Sequence, residues 1–149
     1  LLATHCIAMN RIPCSEFEQR LAQLCTRKGG PGLPRKRRDQ QILLMSIALT
    51  FEHHRPYSES EVNDRITEWL DDIGRLMETD HVTLRRYLVD EGYLQRDDAG
   101  MSYRVNENTA ADRFEPAVLS ADPARILADA RSERERRRWQ HTGKDTHSA

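Results

Sequence analysis

Histidine and cysteine are the residues of this sequence best suited to catalysis or metal binding, but their spacing matches no known site. The three cysteines are widely separated, without a Cys-x-x-Cys pair or a histidine at zinc-site spacing: Cys6, Cys14 and Cys25. Four histidines have no carboxylate or cysteine at ligand spacing: His5, His53, His54 and His81. We therefore expect half-buried thiols in a reducing cytosol and a surface role for His81.

The glycine-rich segment Gly29–Gly32 is the other pattern that could carry chemistry. It lacks the Lys-Ser/Thr that follows the glycines of a phosphate-binding loop, so it predicts a linker rather than a nucleotide site. With no catalytic arrangement in view, the sequence predicts a protein that is not an enzyme and has neither cofactor nor metal.

Basic residues are distributed unevenly, although the net charge of the chain is only −1. One block begins the longest apolar helix: Arg35, Lys36, Arg37 and Arg38. Cations are disfavoured at a helix N-terminus by the helix dipole, so local stability does not explain this block, whereas an anionic partner does. A solvated basic cluster remains the alternative. A second block, Arg131–Arg138, has glutamates at i,i+4 spacing, which favours a solvated helix over a nucleic-acid arm that includes Trp139.

A second set of basic residues lies on the third helix of the central region and on the hairpin after it. On the helix, Thr83, Arg85 and Arg86 could contact DNA bases or phosphates. Arg96 and Arg104 would face outward from the hairpin. The alternative is structural, because Arg86 is spaced to pair with Asp90 and Arg85 could reach an acidic group on the second helix.

The elements that position these residues follow from hydrophobic periodicity and capping signals. A capping box at Ser15–Glu18 predicts a short helix to about Thr26, and a largely apolar helix is expected over 36–53. Because the second helix is apolar on several sides, either the first helix or a second subunit should cover it. A second capping box at Ser58 predicts a helix over 59–75. A further helix is predicted to start at Thr79-Asp80 and to end at about Glu91.

After this helix the spacing of apolar residues changes from the helical period to the two-residue alternation of strands. Asp97–Gly100 is typical of a hairpin turn. Leu94, Met101, Tyr103 and Val105 should face inward. The predicted fold is mainly α with one β-hairpin: a winged helix-turn-helix core with flanking N- and C-terminal helices. We divide the chain into an arm with a short helix and a Gly/Pro linker (1–32), a winged-helix domain (33–105), and a C-terminal part (106–149). That last part should contain an irregular linker, an arginine-rich helix capped by Asp122 and a disordered tail from His141.

Three ordered motifs give the central region a family resemblance. They are Gly32–Arg38, Tyr57–Asn63, and Thr83–Arg96 followed by Gly100 and Tyr103. Together they resemble the prokaryotic family catalogued as domain of unknown function 2087, over about Gly32 to Val105. The resemblance implies a regulatory context, since the family occurs alone or beside DNA-binding domains in proteins labelled transcriptional regulators. It implies no catalytic residues.

The expected function is that of a cytoplasmic transcriptional regulator whose winged-helix domain binds DNA as a dimer. Against DNA binding, the region from Leu33 to Val105 has eleven Lys or Arg and fourteen Asp or Glu, a net charge of −3. Two alternatives therefore stay open. One is a module that binds a protein partner, or itself, through the apolar central helix. The other is an RNA- or ribosome-associated factor that uses the two arginine blocks.

Overall fold

A computed structural model of the chain describes residues 10–147, with side chains described for residues 10–140. Predictions for His5 and Cys6, and for the last two residues of the tail, lie outside this range. Within it the protein is mainly helical with one antiparallel hairpin, as predicted. In chain order the elements are α1 (Cys14–Cys25), α2 (Arg37–Ala48), α3 (Glu59–Asp71), α4 (His81–Asp90), β1 (Leu94–Arg96), β2 (Tyr103–Val105), α5 (Glu107–Arg113), a 3-10 helix (Pro116–Ser120) and α6 (Pro123–His147).

Helix α2 is the centre of the core, because every residue from Gln41 to Ala48 is buried. Three polar residues of α2 are buried as well: Asp39, Gln41 and Ser46. Arg20 of α1 forms an ion pair with Asp39 at 2.8 Å, and the Trp69 indole of α3 donates a hydrogen bond to the Ser46 hydroxyl at 3.1 Å. The expectation that the N-terminal helix covers α2 is confirmed. Helix α2 therefore has no exposed apolar face for a second subunit or a protein partner.

Helices α3 and α4 and the hairpin follow the order of a winged helix. The capping box at Ser58 is present with both reciprocal hydrogen bonds, and Asp80 caps α4 through the Thr83 amide at 2.7 Å. In the hairpin, Leu94 pairs with Val105 and Arg96 with Tyr103. Tyr57, between α2 and α3, exchanges two 2.8 Å backbone hydrogen bonds with Tyr103. This bridge adds a backbone pairing beside β2 and ties the start of α3 to the hairpin.

The two arms pack against each other and share one buried cluster with the central region. The Ile12 amide donates to the Arg113 carbonyl at 2.8 Å, and the Glu115 amide donates to the Ile12 carbonyl at 2.9 Å. Next to this bridge the Phe17 and Phe114 rings meet edge to face, with centroids 5.9 Å apart. Helix α6 packs along α1, with Leu127 buried in the shared core.

Four local expectations differ from the structure. Helix α1 begins at Cys14 with Pro13 as its N-cap, so Ser15 lies inside the helix and forms no capping box. The segment expected to be irregular contains α5, which is capped by Asn106 and buries Ala110. Helix α6 continues to His147, through most of the expected disordered tail. Met101, which was expected to face inward, is 73% exposed.

Among the helices described, none combines the length and the apolar character needed to cross a bilayer.

Candidate nucleic-acid interface

The outer face of α4 and the hairpin enclose a groove of about 240 Å³. Helix α4 contributes Val82, Arg86 and Val89, which recur at i, i+4 and i+7 on the exposed side of the helix. The inward residues Leu84 and Leu88 are fully buried and anchor the opposite side. The groove therefore lies on the side of α4 that faces away from the core.

Arg96 lines the hairpin side of this groove, although we expected it to face outward. Leu94 and Arg96 lie on the same face of β1, because side chains alternate along a strand. Their cross-strand partners, Val105 and Tyr103, lie on that face of the hairpin too. The Arg96 guanidinium lies over the Tyr103 ring, 5.9 Å from its centroid. Gly100 turns the chain with φ +71°, and a Cβ there would lie 2.6 Å from the Arg96 Nη2 atom. The missing side chain at Gly100 thus makes room for the guanidinium.

Arg85 and Arg86 are neighbours on α4, but their environments differ. The Arg85 side chain is only 19% exposed, and it forms a 3.0 Å ion pair with Glu59 and a 2.5 Å hydrogen bond to Asn63, both on α3. Arg86 is exposed and makes no hydrogen bond or ion pair among the described residues, so the expected pair with Asp90 does not form. The structural alternative therefore holds for Arg85, and Arg86 is available to a ligand.

We expect this difference to appear in stability measurements. Arg85→Ala removes both tethers between α3 and α4 and should lower the free energy of unfolding by about 1–2 kcal/mol. Arg86→Ala removes the same charge from an exposed position and should change it by less than about 0.5 kcal/mol. Urea unfolding followed by circular dichroism measures both values, and equal losses would contradict the assignment.

The other predicted contact residues are more dispersed. Thr83 is half-buried in the first turn of α4, where its amide is already bonded to Asp80. Arg104 is exposed on the opposite face of the hairpin from Arg96, paired in register with Gln95. Of the residues predicted to bind nucleic acid, Arg85, Arg86 and Arg96 thus line the groove, and Arg85 is also bonded to α3. Arg104 lies on the other face of the hairpin.

The basic block before α2 does not form a single patch. The Arg37 guanidinium binds both carboxylate oxygens of Glu91, at 3.2 and 3.0 Å, and Arg38 binds Glu16 in the same manner. The hydrogen bond from Arg38 lowers the pKa of Glu16, which stays ionised and keeps the pair charged. Arg35 and Lys36 are exposed and make no such contacts among the described residues. Two of these four cations therefore serve in the fold.

A polar cluster that was not predicted from the sequence joins α2 and α5 to the turn between α4 and β1. The buried amide oxygen of Gln41 accepts hydrogen bonds from the Tyr93 hydroxyl at 2.5 Å and from Arg113 at 2.7 Å. Burial raises the pKa of Tyr93 to about 12, so the hydroxyl stays protonated and donates. Burial alone would also raise the pKa of Glu91, but the hydrogen bond and charge of Arg37, with Gln41 and Arg113, hold it below its usual value.

The arginine-rich helix α6 uses several of its arginines within the fold. Arg131 donates to the backbone carbonyl of Asp72 at 2.7 Å, and Arg134 donates to that of Thr26 at 2.8 Å. Asp72 and Thr26 are the C-caps of α3 and α1, where unpaired carbonyls and the helix dipole attract cations. Arg136 and Arg137 pair with Glu133 on α6 itself. These contacts favour a structural role for the helix.

The cysteines and histidines of the described residues form no catalytic or metal-binding arrangement. Cys25 is buried, and its burial raises the pKa of the thiol to about 12, so it stays a thiol at neutral pH. His53 and His54 share one carboxylate, because both rings lie within 3.1 Å of the Glu107 Oε1 atom. This contact was not predicted from the sequence, because Glu107 lies on α5, a helix that was not predicted. Within residues 10–140, no group of three or more ligand-type side chains suits a metal ion.

The protein is mainly helical, and its one hairpin directly follows the three helices α2, α3 and α4. The sequence model of one family, described as an uncharacterized protein conserved in bacteria (DUF2087), matches residues 32–105. This segment of the chain therefore belongs to that family. It spans α2 to β2, including both sides of the groove, and leaves out α1, α5 and α6. No curated protein and no solved structure matches the chain.

Proposed function

We propose that this protein is a bacterial transcriptional regulator that binds duplex DNA by placing α4 in the major groove. Arg86 and Arg96 contact the DNA, Arg85 positions α4 by its tethers to α3, and Arg104 lies on the wing. The observation that carries this proposal is that Arg86 and Arg96 line the same groove from its two sides. Among the described residues, neither guanidinium forms an ion pair. A helix of this width fits the major groove, and arginine is the side chain most often used to read guanine there.

The net negative charge of the central region is less of an obstacle at the groove itself. The groove is lined by three arginines and a single acidic residue, Asp90. Elsewhere, several acidic residues of the region are neutralised by ion pairs. The arms supply three of the cations, since Arg20 pairs with Asp39, Arg113 with Glu91 and Arg131 with Asp72. The charge presented along α4 is thus more positive than the count over the whole region indicates.

The proposal is made for a single chain. The expected dimer stays a prediction, but it would not form through α2, because α1 covers that helix. Binding through the two arginine blocks, as in the RNA alternative, would require arginines such as Arg37 and Arg131 to leave the ion pairs described above.

The direct test is the salt dependence of binding to a fluorescent 30-base-pair duplex, measured by anisotropy between 50 and 200 mM salt. A site enriched from random sequence by the protein itself supplies the duplex. Each of Arg86→Ala and Arg96→Ala should lower the slope of log K against log salt by about one phosphate equivalent, or relax sequence preference at one position. The double variant should weaken binding by roughly ten- to a hundredfold.

The matched control is Arg136→Ala, which removes the same charge from an exposed ion pair on α6. It should bind DNA within about twofold of the unaltered protein. If Arg136→Ala weakens binding as much as Arg86→Ala, attraction is not localised to the groove. The absence of any complex at micromolar protein and 50 mM salt would overturn the proposal, and tighter binding of a single-stranded RNA of the same length would favour the RNA alternative.

A further inference from the structure

A second cavity, of about 410 Å³, lies between the end of α1, the loop leading to α2 and the segment after α3. Its walls are mainly apolar: Leu24, Leu33, Leu43 and Met77, with two prolines. Leu43 belongs to the buried core, and the other three apolar side chains are half-buried. This volume lies in the range of small-molecule sites and has room for roughly a dozen non-hydrogen atoms.

Two arginines stand at the rim of this cavity, and no acidic residue lines it. Arg27 and Arg35 are both exposed, and neither makes a hydrogen bond or ion pair among the described residues. Most of the other arginines discussed above are held by carboxylates or helix ends. The cavity is therefore positively charged at its mouth and apolar inside.

The loop contributes backbone groups as well. Gly29 and Gly30 line the cavity, have no atoms within 4 Å of a Cβ position, and their amides make no hydrogen bonds within the described part of the chain. Gly32 holds the loop in place, since its amide donates to the Glu78 carbonyl at 3.0 Å. The loop is thus anchored at one end, while its two glycine amides remain available as donors.

We propose that this cavity binds a small organic anion with an apolar body, such as an aromatic carboxylate. The apolar part would contact Leu24, Leu43 and Met77, and the charged group would lie between Arg27 and Arg35, near the glycine amides. Guanidinium groups bind carboxylates through paired hydrogen bonds, which favours an oxyanion over a neutral ligand of the same shape. A phosphodiester backbone has no apolar body to fill these walls. The proposal does not depend on DNA binding.

The test uses the full chain and three probes of one shape, measured by isothermal titration: naphthalene-2-carboxylate, naphthalene-2-methanol and 2-naphthylmethylamine. The carboxylate should bind at least fivefold more tightly than the neutral probe, and the amine should bind most weakly. The variant with both Arg27→Ala and Arg35→Ala should bind carboxylate and alcohol equally. Lys28→Ala removes a neighbouring exposed cation outside the cavity and should leave the preference unchanged.

Because Arg27 and Arg35 are exposed, these variants should unfold at the temperature of the unaltered protein, so a lost preference reports on the cavity. Met77→Trp, which fills the cavity, should weaken all three probes. No saturation at millimolar carboxylate, equal binding of carboxylate and alcohol, or the same loss in Lys28→Ala would each overturn the proposal. So would displacement of the carboxylate by duplex DNA that requires Arg27 and Arg35, because these arginines would then belong to a nucleic-acid surface.

Discussion

Expressed alone, the segment from residue 32 to residue 105 is expected to lack a stable folded core. This segment is the part matched by the family, but six large buried side chains of the core lie outside it: Ile12, Phe17, Leu21, Phe114, Val118 and Leu127. Burial of a large apolar side chain contributes about 1.5–3 kcal/mol, so their removal would cost roughly 9–18 kcal/mol as an upper bound. Domains have a total stability of only about 5–15 kcal/mol.

The measurement is a comparison of two fragments by urea unfolding and by the dispersion of the amide proton spectrum. The fragment 32–105 should give a collapsed spectrum and no cooperative transition. The fragment 10–140 keeps both arms, so it should unfold cooperatively near the midpoint of the full chain. A well-dispersed spectrum for 32–105 would contradict the view that the arms complete the core.

Gly74→Val should lower the free energy of unfolding by about 2–3 kcal/mol through overpacking. Gly74 is buried just after α3, and a Cβ at this position would overlap the ring of Trp69. That ring cannot move aside without cost, because it is 2% exposed and its indole nitrogen is bonded to Ser46. The added methyl groups therefore strain the contact between α3 and α2.

The matched control is Gly29→Val, the same substitution where a Cβ would have nothing within 4 Å. Its stability should remain within about 0.5 kcal/mol of the unaltered protein. Both values follow from chemical denaturation curves recorded under identical conditions. Similar losses at the two positions would show that loss of glycine flexibility, rather than contact with Trp69, controls the effect.

The elements set by local chemistry were predictable from the sequence. Ser58 and Asp80 mark helix starts by hydrogen bonds to amides three residues away, and Gly100 provides the positive φ of the hairpin turn. These interactions span at most a few residues, so a short stretch of sequence contains all the information they need. The family segment was recognised for a related reason, since its motifs lie on these elements.

The errors came from contacts between distant parts of the chain. Ser15 begins the same Ser-Glu-x-Glu pattern as Ser58, but the pairing of Ile12 with the backbone around Phe114 leads the chain into a helix that already starts at Cys14. No feature near Ser15 indicates this. The role of Arg85 was equally undetermined, because its partners lie on another helix. The predicted orientation of Arg96 was a different kind of error. Side chains alternate along a strand, so an inward Leu94 already places Arg96 on the same face.

The bridge between Ile12 and Phe114 also affects how the protein is made. Helix α1 leaves the ribosome before Phe114 and α6, which complete the cover of its buried residues Phe17 and Leu21. At about 5–20 residues per second, the intervening stretch takes roughly 5–20 seconds to translate. During that interval the nascent chain exposes apolar side chains of α1. The packing of α1 is thus completed well after the helix itself is synthesised, and we expect chaperones that shield nascent chains to bind its apolar side chains in that interval.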